Sequence, residues 1–150
     1  MIENVEKTIR KYNLIDKDDK VLVAVSGGPD SMSLLHVLLN LEYNICVAHI
    51  NHGLRENADK EEMFVKSFCE SNNIPFFSKK VNLKEQLDGM TVEEAGRRVR
   101  YDFFDEVLKK ENCTKIATAH NSNDNAETVI MNMIRGSGLN WLKGIEPKRD

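Results

Sequence analysis

Two serines, two glycines and an aspartate lie close together in the segment Ser26-Gly27-Gly28-Pro29-Asp30-Ser31. An apolar run at 21–25 precedes the segment and predicts a buried strand, and a second run at 32–39 follows it and predicts a helix. At such a junction the first N–H groups of the helix lack intrahelical partners, and glycine lets a ligand approach the backbone closely. The sequence therefore predicts a loop that binds an anion, with phosphate as the expected anion.

Asp30 is the unusual member of this loop, because a carboxylate repels a phosphate unless a divalent cation lies between them. Mg²⁺ takes one or two carboxylates and completes its shell with phosphate and water, so Asp30 is a candidate Mg²⁺ ligand. The structural alternative is a glycine turn in which Asp30 only stabilises the helix dipole. With Gly28 as the N-cap and Pro29 as the first helical residue, the expected donors are the N–H groups of residues 30–32 and the Ser26 and Ser31 hydroxyls. The spacing is neither GxxxxGK[ST] nor GxGxxG, which argues against those two nucleotide motifs.

Segments typical of strands and helices alternate along the chain. The predicted strands are 20–25, 45–50, 75–81 and 115–119. The predicted helices are 3–12, 31–41, 59–70, 91–110 and 123–135. The helix at 91–110 is the clearest, since Thr91 and Glu94 form a capping box at its start. This alternation indicates an α/β fold with a doubly wound, mainly parallel sheet flanked by helices.

Polar clusters follow three of the predicted strands, at 26–28, 49–52 and 120–124. The carboxyl ends of parallel strands meet at one edge of a sheet, and ligands of such folds bind there. We therefore expect the three clusters to face one shared cleft.

Composition narrows the class of protein further. The chain has 150 residues, 41% hydrophobic and 30% charged, which fits one soluble globular domain. Its net charge of −3 excludes a protein that is basic all over, but not a local basic patch. The three cysteines are far apart and form no CxxC pair, so we expect reduced thiols rather than disulfides or a metal cluster. No apolar run approaches the roughly 20 residues that span a membrane. The first residues carry acid and do not resemble a signal peptide, so we expect a cytoplasmic protein with no membrane partner.

The loop at 26–31 resembles the SGGxDS loop of the PP-loop ATP pyrophosphatases, which split ATP into AMP and pyrophosphate and transfer the AMP to an acceptor. Further segments narrow the resemblance to the tRNA(Ile)-lysidine synthetase family. They are 48–55 (AHINHGLR), 93–101 (EEAGRRVRY), 118–128 (TAHNSNDNAET) and 135–145 (RGSGLNWLKGI). The chain departs from the family pattern at Gly96, where alanine is usual, and at Asn123, where the family often has a second aspartate.

The resemblance implies an ATP- and Mg²⁺-dependent ligase that joins L-lysine to C2 of cytidine 34 in the CAU anticodon of tRNA(Ile). ATP would first activate the C2 carbonyl as an adenylate and release pyrophosphate, and the lysine amine would then displace AMP. It also implies that residues 1–150 are a truncated N-terminal catalytic domain whose C-terminal tRNA-binding regions are absent. A homodimer is left open.

The resemblance also suggests roles for individual residues. The loop from Ser26 to Ser31, with Ala48 and His49, would bind the nucleotide, and Asp30 would hold the metal. Arg97 would stabilise charge on the α-phosphate and the leaving pyrophosphate. Asp124 and Glu127 would bind the lysine ammonium groups or act as base, and His120 would orient groups at the strand end.

Each of these roles has a structural alternative. Asp124 and Glu127 also fit a plain capping start for the predicted helix 123–135. Arg97 could pair with Glu93 or Glu94 on a solvated face. Two other functions compete as well: a PP-loop enzyme that thiolates tRNA, and a non-catalytic nucleotide-binding module resembling universal stress proteins. The first would require reactive cysteines near the loop, and the second would lack the carboxylate and arginine cluster.

Overall fold

The computed structural model describes residues 2–51, 53, 57–81, 89, 91–121 and 129–135. Four helices and five strands lie in this part of the chain. In chain order they are α1 (Ile2–Tyr12), β1 (Lys20–Ala24), α2 (Pro29–Asn40), β2 (Asn44–Asn51), α3 (Ala58–Ser71), β3 (Phe76–Lys80), α4 (Val92–Lys110), β4 (Lys115–Asn121) and β5 (Val129–Arg135).

The five strands form one sheet in the order β3-β2-β1-β4-β5. Strands β1 to β4 are parallel, and β5 lies at the edge, antiparallel to β4. The chain builds outward from β1 through β2 to β3, then returns to place β4 on the other side of β1. The order thus reverses between β1 and β4, which is where doubly wound folds bind ligands. The predicted doubly wound, mainly parallel sheet is confirmed.

Strand β1 is buried on both faces, which explains its unbroken apolar sequence. On one face Val21 and Val23 pack in a core with residues of α1, α2 and α3. On the other face Leu22 packs with Phe103 and Phe104 of α4. The helices that follow β1 and β2 therefore cover one face, and the helix that follows β3 covers the other, as right-handed crossovers require when the winding direction reverses.

The structure contradicts one predicted element. Residues 123–135 were expected to form a helix, but Val129–Arg135 is strand β5, whose seven residues pair with the whole of β4. A short apolar run with Val129, Ile130 and Ile134 fits either state by its pattern alone. The neighbouring edge of β4 decides the outcome, because it offers a full row of backbone partners. Residues 122–128 lie outside the described part of the chain.

Helix α4 begins as the sequence predicts. Thr91 is its N-cap, and the Thr91 side-chain oxygen accepts a hydrogen bond from the Glu94 backbone N–H at 3.1 Å. Ala95, one turn into the helix, is buried with Val81, which directly follows β3. The first turns of α4 therefore lie near the carboxyl edge of the sheet. None of the described helices is long and apolar enough to cross a membrane.

Candidate functional site

The glycine loop lies beside the point where the strand order reverses. It leaves the carboxyl end of β1, and Gly27 takes a φ of +96°, a conformation that favours glycine. Gly28 is the N-cap of α2 with an extended backbone and no side-chain cap, and Pro29 opens the helix, as predicted. One detail of the prediction is wrong: the Met32 N–H already donates to the Gly28 carbonyl at 3.1 Å. The N–H groups left for an anion at this helix start are those of Asp30 and Ser31.

The two serines of the loop bind each other. The Ser31 hydroxyl accepts from the Ser26 backbone N–H at 3.1 Å and donates to the Gly28 carbonyl at 3.2 Å. The two hydroxyls lie 3.2 Å apart, and Ser26 Oγ also accepts from the Gly28 N–H at 3.3 Å. A hydroxyl has a single hydrogen, so Ser31, once it donates to Gly28, must accept from Ser26. Both hydroxyls therefore fix the shape of the loop, which leaves backbone N–H groups as the natural donors to a phosphate.

Helix α3 packs against the loop, which the sequence did not indicate. A Cβ placed on Gly27 would lie 3.4 Å from Cβ of Glu61 and 3.7 Å from Cγ2 of Val65. The positive φ is what favours glycine here, and a Cβ at this position would come into van der Waals contact with α3. Nothing in the spacing of Glu61 could have predicted this contact, because it depends on how α3 crosses the sheet edge.

Ala48 and His49, predicted to contact the nucleotide, lie buried next to the start of the loop. The Ala48 carbonyl accepts a hydrogen bond from the Val25 N–H at 3.0 Å. The His49 Nδ1 atom lies 2.8 Å from the Val25 carbonyl, and the side chain is only 2% exposed. A carbonyl only accepts, so Nδ1 must carry the proton. These contacts extend the β1–β2 pairing by one residue and hold the chain where it enters the loop; direct contact with the nucleotide stays a prediction.

A second polar network lies at the carboxyl ends of β2 and β3. Asn51 is 2% exposed, and its Nδ2 donates to Asp59 Oδ1 at 2.8 Å while its Oδ1 accepts from the Gly53 N–H at 2.9 Å. Lys80 Nζ lies 3.1 Å from the same Asp59 oxygen. The hydrogen bond from Asn51 and the Lys80 charge lower the pKa of the Asp59 carboxyl. We refer to Asn51, Gly53, Asp59 and Lys80 as the β2–α3 clasp.

Arg97 lies in the second turn of α4, on the face of the sheet opposite to α2 and α3. It is half-buried, whereas the adjacent Arg98 is exposed. The Nε atom of Arg97 is buried and makes no hydrogen bond within the described structure, although the side chain does interact elsewhere. Arg97 is therefore turned further toward the protein than Arg98 is. Its role toward a nucleotide stays a prediction.

The remaining predicted site residues lie outside the part of the chain with described side chains. Asp124 and Glu127 fall in the segment 122–128, and for His120 only the backbone in β4 is described. That backbone places His120 next to the last residue of the strand, at the carboxyl edge expected for it.

Asp30 lies in the first turn of α2 and is half-buried. Within the described residues, no three His, Cys, Asp or Glu side chains gather as they would in a metal site built by protein alone. A single carboxylate beside a phosphate-binding loop suits Mg²⁺, which usually takes only one or two carboxylates and fills its shell with substrate phosphates and water.

The three cysteines lie on both faces of the sheet. Cys69 of α3 belongs to the core on the α2 side, whereas Cys46 and Cys113 belong to the core on the α4 side, with their sulfurs 3.4 Å apart. Three thiols separated by a sheet could not ligate one metal cluster together.

The whole chain, residues 1–150, matches the model of the PP-loop domain family, and it therefore belongs to that family. Membership confirms the predicted use of ATP, whereas binding of ATP by the glycine loop stays a prediction. The Mg²⁺ ion and the individual ligand residues remain predictions.

Within the PP-loop domain family, the chain is similar in sequence to tRNA(Ile)-lysidine synthases. The chain is 50% identical to the tRNA(Ile)-lysidine synthase of Clostridium tetani, covering all of this chain and 34% of that protein. It is 46% identical to the tRNA(Ile)-lysidine synthase of Petrotoga mobilis, covering 97% of this chain and 49% of that protein. The chain thus spans between a third and a half of the length of these relatives. Among solved structures it matches the U34-tRNA thiolase NcsA of Methanococcus maripaludis, determined with its [4Fe-4S] cluster. That match has a TM-score of 0.65 at 21% identity and covers 80% of this chain and 46% of that one. At this identity the thiolase match supports the fold alone.

Proposed function

We propose that this chain carries the ATP-dependent catalytic part of a tRNA(Ile)-lysidine synthetase. The reaction would join the amine of L-lysine to C2 of cytidine 34 in the CAU anticodon of tRNA(Ile). The observation that carries the proposal is the 50% sequence identity to a lysidine synthase over the full length of this chain. It is supported by the glycine loop, which lies where the strand order of the sheet reverses.

The reaction has two steps. The C2 carbonyl oxygen of the cytidine attacks the α-phosphorus of ATP, the bond to the β-phosphate breaks, and pyrophosphate leaves. The lysine amine then attacks C2, loses a proton to a base, and expels AMP. Each step places negative charge on phosphate oxygens, so fixed hydrogen-bond donors and cations aimed at those oxygens lower the barrier.

In the first step, the N–H groups at the start of α2 would bind the phosphates, and the two serines would keep those groups oriented. Asp30 would hold Mg²⁺, which supplies positive charge to the phosphates when bound. Arg97 would add charge from the opposite face of the sheet. In the second step, Asp124 and Glu127 would bind lysine or accept its proton, and His120 would orient groups nearby.

Asp30→Asn tests the first step most directly. The variant keeps the size of the side chain and its ability to accept a hydrogen bond but loses the charge that Mg²⁺ requires. We expect the rate at which pyrophosphate is released from ATP, in the presence of tRNA(Ile) and saturating Mg²⁺, to fall by at least two orders of magnitude. A loss of this size is typical when one fixed electrostatic group is removed. Asp102→Asn, at an exposed site on α4, is the matched control and should retain full activity.

The complete reaction is tested by following AMP release with and without lysine in the presence of a tRNA(Ile) transcript. AMP release that requires lysine, with lysine recovered in the tRNA, supports the proposal. Release that instead requires a sulfur donor would replace it with thiolation, and ATP binding without turnover would replace it with a non-catalytic module.

A further inference from the structure

Two features of the structure, the glycine loop and the β2–α3 clasp, are joined by a single helix. Asp59 of the clasp is the second residue of α3, and Glu61 and Val65, which lie against Gly27, follow it within two turns. A displacement of the first turn of α3 would therefore change both contacts together.

The start of α3 lacks a cap of its own. Its N-cap residue, Asn57, makes no side-chain hydrogen bond to the first turn. The tie that the structure does provide comes from outside the helix: the buried Asn51 of β2 donates to Asp59 at 2.8 Å, and Lys80 of β3 adds its charge at 3.1 Å. An uncapped helix start is prone to fray, so an external partner has more influence there than at a capped one.

The side-chain amide of Asn51 also fixes which atom donates in the Asn51–Asp59 hydrogen bond, which we call the tie. Its amide is buried, with the oxygen occupied by the Gly53 N–H and the nitrogen by Asp59. A buried amide is held in one orientation by such a pair of bonds, because reversing it would set its oxygen against a carboxylate and its NH₂ against an N–H.

We propose that the Asn51–Asp59 hydrogen bond positions the phosphate loop for ATP, by holding the first turn of α3 against Gly27. Asn51 and Asp59 are positioning residues and need not touch the nucleotide. The inference rests on the proposal that the loop binds ATP, and it identifies which side chains, outside the loop itself, set its affinity.

Asp59→Ala removes the tie at a position that is 72% exposed, so the variant should fold. We expect its dissociation constant for ATP to rise several-fold and amide hydrogen exchange in the segment 26–32 to accelerate even without nucleotide. Asp59→Asn is the conservative variant: its side-chain oxygen still accepts from Asn51, so both readouts should stay near those of the wild type. Glu62→Ala, which removes a neighbouring acid of α3, is the matched control for the loss of charge and should change neither readout.

A reversal of donor and acceptor tests the tie by rescue. Asn51→Asp sets two carboxylates against each other and should weaken ATP binding on the order of tenfold. In the double variant Asn51→Asp/Asp59→Asn, the new asparagine donates to the new aspartate, which still accepts from Gly53, so binding should recover to within about threefold of wild type. All variants are measured well below their melting temperatures.

The outcomes separate this inference from the proposed function. Unchanged ATP affinity and loop exchange in Asp59→Ala, or a double variant no better than Asn51→Asp, would overturn the role of the tie. A wild-type protein that binds ATP but forms no lysidine would overturn the proposed function and leave the tie intact. If the wild type does not bind ATP, the exchange of residues 26–32 still decides whether Asp59 holds the loop.

Discussion

Ser31 is the residue on which the geometry of the loop depends most. It is 5% exposed, and its hydroxyl binds both the Ser26 N–H and the Gly28 carbonyl. Ser31→Ala would leave the Ser26 N–H without its partner and the Gly28 carbonyl with only its bond from the Met32 N–H, at a cost of about 1–3 kcal/mol for the group left unpaired. We expect both the free energy of unfolding in urea and the affinity for ATP to fall. Ser33→Ala, the same change two residues along α2, should lower neither by more than about 0.5 kcal/mol. Equal losses in the two variants would mean that the serine network does not shape the loop.

Gly27 shapes the loop through its backbone conformation, and this effect can be tested separately from that of Ser31. Gly27→Ala forces an L side chain to a φ of +96° and places a methyl group 3.4 Å from the Glu61 Cβ. Gly89 also has a positive φ, +80°, but a Cβ there would meet nothing within 4 Å. Both substitutions should destabilise the fold by about 1–2 kcal/mol through backbone strain. Only Gly27→Ala should also abolish detectable ATP binding by calorimetry. Loss of binding in Gly89→Ala as well would point to global rather than local damage.

Asp19, which directly precedes β1, connects the amino end of that strand with the amino end of β4 through Thr114 and Lys115. Burial alone would raise the pKa of this carboxyl, but the Asp16 N–H, the Thr114 hydroxyl and the Lys115 ammonium group outweigh it and lower the pKa below 3.8. The corresponding distances to its oxygens are 2.7, 2.8 and 3.2 Å. The ionised form is therefore the one that the folded state stabilises.

The sign of the pH effect follows. A carboxyl whose pKa is lowered on folding contributes stability that is fully present above its unfolded pKa and is lost as pH falls through the folded pKa. Asp19→Asn should therefore be less stable than wild type at pH 7, by about 1–3 kcal/mol for bonds to a charged group. The gap should narrow in urea titrations as the pH falls below 3.8. Asp18→Asn, at the exposed neighbouring site, should show no such gap, and a constant difference for Asp19→Asn would contradict the argument.

The sequence predicted those elements whose pattern is decided locally. The apolar run of β1 and the Thr91–Glu94 cap of α4 specify their own states, and the structure contains both. The helix start at Gly28–Pro29 was also predictable, since the fixed φ of proline suits the first helical position. The strand at Val129–Arg135 was not, because its state depends on pairing with β4 rather than on its own periodicity. The contact of Glu61 with Gly27 and the hydrogen bond of Asn51 with Asp59 likewise depend on how α3 crosses the sheet. No local spacing in the sequence encodes that crossing.

The sheet separates the three cysteines of this chain into two cores, and this separation argues against the thiolation alternative. Cys46, Cys69 and Cys113 are all buried, and they lie on opposite faces of the sheet. Burial raises the pKa of Cys69 to about 11, and the hydrogen bond with Cys113 together with burial raises that of Cys46. A thiol attacks as its thiolate, so the raised pKa values leave Cys46 and Cys69 poorly prepared to carry sulfur. The hydrogen bond with Cys46 lowers the pKa of Cys113, but this thiol is only 5% exposed, so burial keeps it from a substrate in the folded protein.

We therefore expect an aromatic disulfide reagent at pH 8 to modify the native protein slowly. The rate should rise with urea in step with the unfolded fraction, and all three thiols should react once the chain is unfolded. Cys46→Ala, Cys69→Ala and Cys113→Ala should each cost stability, since each leaves a small cavity in a packed core, but should keep lysine-dependent AMP release. A single fast-reacting thiol in the native protein, or loss of turnover in one alanine variant that remains folded, would favour thiol chemistry. Turnover that survives all three substitutions would leave the carboxylates and backbone donors at the carboxyl edge of the sheet as the groups that carry the reaction.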